Sequence, residues 1–140
     1  MPGLWKIAPA SLARPSGTRR SIRGGPVFDL TFLQGLIIEG DLGEDEVWVA
    51  NNTCERDLEN YRWDYAEVLR MITCLRQADY RTSVWCQVTG GEFYPCDDYR
   101  FFYDCERRER NARGLEVYVK FSVTDDGQLT LVLVSCHGSR

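Results

Sequence analysis

Between Leu115 and Cys136 apolar residues recur at every second position. Leu115, Val117, Val119, Phe121 and Val123 form one such run, and Leu129, Leu131 and Leu133 form another after "TDDG". A period of two places alternate side chains on opposite faces of a strand. Two such runs joined by a tight turn with glycine predict a C-terminal β-hairpin. Upstream the period changes. In "FDLTFLQGLIIEG", Leu30, Leu33, Leu36 and Ile37 fall at helical spacing, and Gly40 sits where a helix would stop. "NNTCERDLEN" reads as a capped helical turn, with Asn51, Asn52 or Thr53 as the cap. "DYAEVLRMITCLRQADY" predicts a stronger helix, in which Asp64 and Glu67 resemble a capping box and Val68, Leu69, Ile72 and Leu75 form the apolar face. "EVWVA" and "RTSVWCQVT" read as strands, while Gly and Pro make "GGEFYPCDDYRFFYD" a loop or edge strand. With helices first and strands later, the pattern predicts an α+β protein, N-terminal helices packed on an antiparallel sheet.

Residues 1–25 are rich in Pro, Gly, Ser and Arg and lack an apolar period. They are expected to form a flexible basic arm, leaving 26–140 as a single domain. The 140 residues, 44% hydrophobic and 27% charged, suit one soluble globular unit. No apolar stretch is long enough to span a bilayer. The N-terminus has no continuous apolar core of a secretory signal, so a cytoplasmic location is expected, with no membrane partner. There the six cysteines would be free thiols, several serving as small core residues. None stands in a Cys-x-x-Cys pair, and His137 is the single histidine, so neither a metal site nor a cofactor is expected.

The formal net charge of −4 argues weakly against nucleic-acid binding, but its distribution is uneven. Arg100, Arg107, Arg108, Arg110 and Arg113 gather in one segment, and Lys6 and Lys120 are the only lysines. The cationic chemistry is therefore guanidinium chemistry, suited to bidentate contacts with phosphate or carboxylate. Within the hairpin, Tyr118 and Lys120 project from the non-core face of the first strand. His137 shares parity with Leu129, Leu131 and Leu133, so it reaches that face only if the strand ends or bulges near Ser135. Arginine, lysine, tyrosine and histidine together can serve RNA cleavage. That reaction needs a base for the 2′-hydroxyl proton, an acid for the departing 5′-oxygen, and fixed positive charge at the phosphate.

The segments "PVFDLTFLQGLIIEG", "WDYAEVLRMITCLRQADYRTSV", "CDDYR", "GLEVYVKFSV" and "LTLVLVSCHG" occur in an order and spacing that resembles the MqsR family of toxin mRNA interferases. The resemblance covers about residues 26–137. It implies a RelE-like fold, helices against a twisted antiparallel sheet, and a toxin of a toxin–antitoxin system. Such a protein is an endoribonuclease that cuts mRNA without metal and is held inactive by a cognate antitoxin; contact with the ribosome is left open. Carried over residue by residue, the family tyrosine of "VYLK" matches Tyr118 and the lysine two positions on matches Lys120. The lysine of "YKS" is Arg81 here, the glutamine before "DVYR" is Cys96, and the lysine ending "VSFK" is His137. Tyr118, His137, Arg81 and Lys120 are thus the expected catalytic set. His137 brings an imidazole, which titrates in the physiological range. Arg100, Arg107, Arg108, Arg110 and Arg113 would hold the RNA backbone and Tyr99 would stack a base. The alternative is a catalytically degenerate toxin-like module whose arginines recognise an acidic protein partner.

Overall fold

Three side chains set where the helices begin. In the computed structural model, which describes residues 3–15 and 20–139, Asp29 accepts from the Phe32 N–H at 2.9 Å, Asn51 from Cys54 at 2.8 Å and Asp64 from Glu67 at 2.8 Å. Each satisfies a donor that the first helical turn leaves unpaired. In chain order the described elements are β1 (Ser21–Ile22), α1 (Leu30–Ile38), β2 (Val47–Val49), α2 (Asn52–Tyr61), α3 (Tyr65–Cys74), β3 (Tyr80–Gln87), β4 (Phe93–Asp104), β5 (Glu109–Arg110), β6 (Leu115–Asp125) and β7 (Leu129–Gly138). The fold is α+β, but the helices do not all precede the sheet: β1 comes before α1, and β2 lies between α1 and α2. No helix among the described residues is long and apolar enough to cross a membrane.

The strands form one sheet in the order β1-β3-β4-β6-β7-β2, with β5 added beside β4. All pairings are antiparallel except that of β2 with β7. The C-terminal hairpin forms as its alternation predicts. The segment read as a loop or edge strand is instead β4, twelve residues long and central. Its breakers fall where they do no harm. Gly90 and Gly91 make the β3–β4 turn with positive φ, and Pro95 precedes Asp97, where pairing with β6 begins. At Pro95 only β3 is alongside, so the missing N–H interrupts no ladder with β6.

One face of the sheet carries the main core. Tyr99, Phe101 and Tyr103 from β4, Val117, Val119, Phe121 and Val123 from β6, and Leu131 and Leu133 from β7 are buried under Leu33, Leu36, Leu58, Val68 and Ile72 of the helices. Among the described residues the three α-helices pack on that face and none lies over the other. There the sheet curls: the Thr89 N–H donates to the Ala50 carbonyl at 3.1 Å, and Trp48 of β2 meets Tyr94 of β4 edge-on at 6.3 Å. The curl encloses a small second cluster of Ala50, Val88, Cys96, Val132 and Val134.

The expected flexible arm is in large part built into the fold. Leu4 is fully buried, Trp5 packs on Phe28 with ring centroids 4.7 Å apart, and β1 pairs with β3. Apolar anchors at Leu4 and Trp5 outweigh the Pro, Gly and Ser content that suggested disorder. Asp97 secures the junction, accepting from the Val27 and Phe28 N–H groups at 2.9 Å and from Ser83 Oγ at 2.7 Å. Residues 1–2 and 16–19 of the expected arm lie outside the described residues. All six cysteines are free thiols, with Cys54, Cys96 and Cys136 buried.

Candidate active site

The uncovered face of β6 presents Glu116, Tyr118 and Lys120, because the alternate positions belong to the core. Strict alternation along β7 would give His137 the same side as Leu131 and Leu133. A bulge prevents this. Lys120 pairs with Ser135 but the next residue, Phe121, pairs with Leu133, so Val134 is an extra residue in β7. Beyond it the parity is reversed: Cys136 is buried in the core, and Ser135 and His137 emerge beside Lys120 and Tyr118. The backbone is held there by Asn51, whose Nδ2 donates to the Val134 carbonyl at 3.0 Å while its Oδ1 caps α2.

His137 stands directly across from Tyr118, with ring centroids 5.6 Å apart and planes 26° apart. Its Nδ1 lies 2.8 Å from the Gly138 carbonyl. A carbonyl can only accept, so Nδ1 is the donor and Nε2 is left for other chemistry. Arg81 arrives through a second irregularity, the register shift of β3 between Tyr80 and Thr82. Its guanidinium carbon sits 5.1 Å from the centre of the Tyr118 ring, and Nη1 is 3.7 Å from Asp98 Oδ2. Arg81, Asp98, Tyr118, Lys120, Ser135 and His137 line one cleft of about 240 Å³. The four residues expected to be catalytic are therefore brought together.

Asp98 was missed by the sequence reading. It pairs across the sheet with Lys120, and burial pushes its carboxyl above the usual aspartate range, against the pull of Lys120, Arg81 and His137. The signal was present: Tyr99, Phe101 and Tyr103 set one parity in β4, which leaves Asp98 and Arg100 on the other. At the rim of the cleft, Glu116 accepts from Tyr118 Oη at 3.0 Å and from Arg100 Nη1 at 3.1 Å. Cys96, where the family resemblance places a glutamine, is fully buried in the second apolar cluster. Its neighbour Cys86 has its thiol lowered to about 7 by a hydrogen bond from Cys96, helped by the charge of Lys120 and opposed by burial.

The expected RNA-binding residues separate. Arg100 stays beside the cleft, paired to Glu116. Tyr99 does not serve as a stacking platform: it is fully buried and stacks on Phe121 at 5.8 Å, because its parity is that of the core. Arg108 donates to Glu67 at 2.7 Å and Arg110 pairs with Asp79, so both are engaged on the helix-covered side of the sheet. Arg107 and Arg113 are exposed on the two turns that flank β5, where Arg108 and Arg110 are bonded to residues of α3.

No protein family, curated protein or solved structure matches the chain. The chemical content of the cleft is thus the basis for a functional reading: two fixed cations, a carboxylate, and an imidazole stacked on a phenol.

Proposed function

We propose that the protein is an endoribonuclease acting on mRNA without metal, the toxin of a toxin–antitoxin pair, as its resemblance to the MqsR family implies. The observation that carries this reading is the Val134 bulge. It places His137 on Tyr118, beside Lys120 and Arg81, although the apolar pattern of β7 directs it to the core. A strand end exposed only by chance would not need a bulge stapled by a helix-capping side chain. The RelE-like fold, the antitoxin partner and a cytoplasmic site of action belong to the same reading. Lys120 and Arg81 suit the charge that builds on a phosphate under attack, and His137 suits proton transfer. The competing reading, an acidic-partner module using the arginine cluster, is weakened because Arg108 and Arg110 are committed to Glu67 and Asp79.

The test is cleavage of a long mRNA by the purified protein in EDTA, with both new ends mapped and their chemistry determined. Cuts leaving 2′,3′-cyclic phosphate and 5′-hydroxyl ends, lost in His137→Ala, support the reading. Intact RNA, together with normal growth on induced expression in cells, would sink it.

A further inference from the structure

Resting on that reading, we propose that Asp98 is the general base of the centre and His137 its general acid, acting from opposite flanks of β6 on one RNA phosphate. The sheet register supplies the geometry. Asp98, Lys120 and Ser135 form one row across β4, β6 and β7; Arg100, Tyr118 and His137 form the adjacent row. Neighbouring strands are about 4.8 Å apart, so the backbones bearing Asp98 and His137 are separated by roughly 10 Å across the sheet. Both side chains lean into the same cleft, between which Lys120 and Tyr118 form the floor. Displacement at phosphorus needs the entering and departing oxygens on opposite sides, and hence a base and an acid on opposite sides. A phosphate seated over Lys120 meets that condition.

The other candidates for the base are occupied or misplaced. Glu116 has both oxygens engaged, one by Tyr118 and one by Arg100. Asp97 accepts from Val27, Phe28 and Ser83 and is fully buried. The Tyr118 hydroxyl donates to Glu116, which leaves the phenol as a wall against which His137 is stacked. Among the described residues the Asp98 carboxylate makes one ion pair, the loose Arg81 contact at 3.7 Å, which a bound phosphate can draw away. The cationic groups facing it are Lys120 from β6, Arg81 from β3 and, when protonated, His137 from β7; Cys86 and Tyr80 of β3 are the nearby groups that become anionic. Its carboxyl, raised by burial, is a better proton acceptor than a solvated aspartate.

The step balances without a co-reactant. Asp98 takes the 2′-hydroxyl proton as the 2′-oxygen bonds to phosphorus. The bond from phosphorus to the 5′-oxygen breaks as His137 Nε2 gives that oxygen its proton. The products are a 2′,3′-cyclic phosphate and a 5′-hydroxyl; Asp98 ends protonated and His137 neutral, and solvent resets both. The Nδ1 bond to the Gly138 carbonyl keeps Nε2 as the transferring atom.

The experiment compares the full-length protein, Asp98→Asn and His137→Ala on a short RNA and on the same RNA carrying sulfur in place of the scissile 5′-oxygen. A thiolate departs without a proton, so the sulfur substrate no longer needs the acid. On normal RNA both variants should lose on the order of 10²–10⁴-fold in kcat. Sulfur should restore His137→Ala and leave Asp98→Asn impaired, and Asp98→Asn should lose the acidic limb of the rate profile. Asp98→Glu, retaining a carboxylate, should recover part of the rate and the acidic limb; if both Asp98 variants fail to fold, the sulfur effect on His137→Ala together with loss of only the alkaline limb decides whether an acid–base pair operates. Rescue of Asp98→Asn by sulfur, or an Asp98→Asn rate within threefold of wild type, overturns the assignment while leaving the nuclease reading intact. Failure of the wild-type protein to cut either RNA overturns the nuclease reading itself, and the assignment with it.

Discussion

Replacing Asn51 by serine separates the two jobs of that residue. Serine still accepts from the Cys54 N–H as a helix cap but cannot donate to the Val134 carbonyl. The lost bond should cost about 0.5–1.5 kcal/mol. Asn51→Ala removes the cap as well, adding about 0.5–2 kcal/mol, so its total should be about 1–3.5 kcal/mol. Urea unfolding of the three proteins measures both steps. The local consequence is read by NMR, because His137 is the only histidine and its ring protons stand alone. In the wild type the Tyr118 ring, 5.6 Å away centre to centre, should shift them and give cross-relaxation with them. With the staple cut, the bulge has alternative positions along β7, and both signatures should weaken. A serine variant with an unchanged urea midpoint and unchanged His137–Tyr118 cross-relaxation would refute the claim that Asn51 fixes the strand.

Four further outcomes follow from the same geometry. Glu67→Ala should destabilise the protein by roughly 1–3 kcal/mol in urea, because it strands the Tyr103 hydroxyl, now bonded at 2.7 Å in the core. Arg110→Ala should lower the thermal midpoint, while Arg81→Ala should lower RNA cleavage with the midpoint little changed; the opposite pattern would show that the two arginines have been assigned to the wrong sides of the sheet. Iodoacetamide should alkylate Cys86 with a half-maximal rate near pH 7, since the thiolate gains as pH rises through about 7, and Cys96→Ala should move that midpoint upward. Gly114→Ala should cost roughly 1–3 kcal/mol, because its Cβ would lie 2.4 Å from the Tyr103 carbonyl oxygen, a backbone atom that cannot rotate aside.

What could be read from the sequence was what depends on neighbours a few residues away. The caps at Asn51 and Asp64, the apolar stripe of α1 and the alternation of β6 are local, and all are found in the fold. What could not be read depends on partners far along the chain. Whether Pro95 disrupts a sheet depends on where β6 begins to pair, and whether residues 3–13 are ordered depends on the slot that Phe28 offers Trp5. The candidate site shows the same division. Tyr118 and Lys120 follow from parity alone, whereas His137 needed a bulge that the leucines of β7 give no hint of. Arg108 and Arg110 look like a free cationic patch until α3 and the turn before β3 bring Glu67 and Asp79 to them.

The extra residue at Val134 also makes β7 a strand with two reading frames. Up to Leu133 odd-numbered positions fill the interior; after it the even-numbered Cys136 does so and odd-numbered positions face the cleft. One unpaired residue is therefore enough to uncouple the strand end from the hydrophobic code before it. Regular pairing carried through Val134, with no bulge, would exchange Cys136 and His137 between core and cleft, whereas deleting Val134 would straighten the strand and leave both on their present faces. Variants that lack Val134 should keep His137 on Tyr118, so the strand tolerates a change of length here better than a change of pairing.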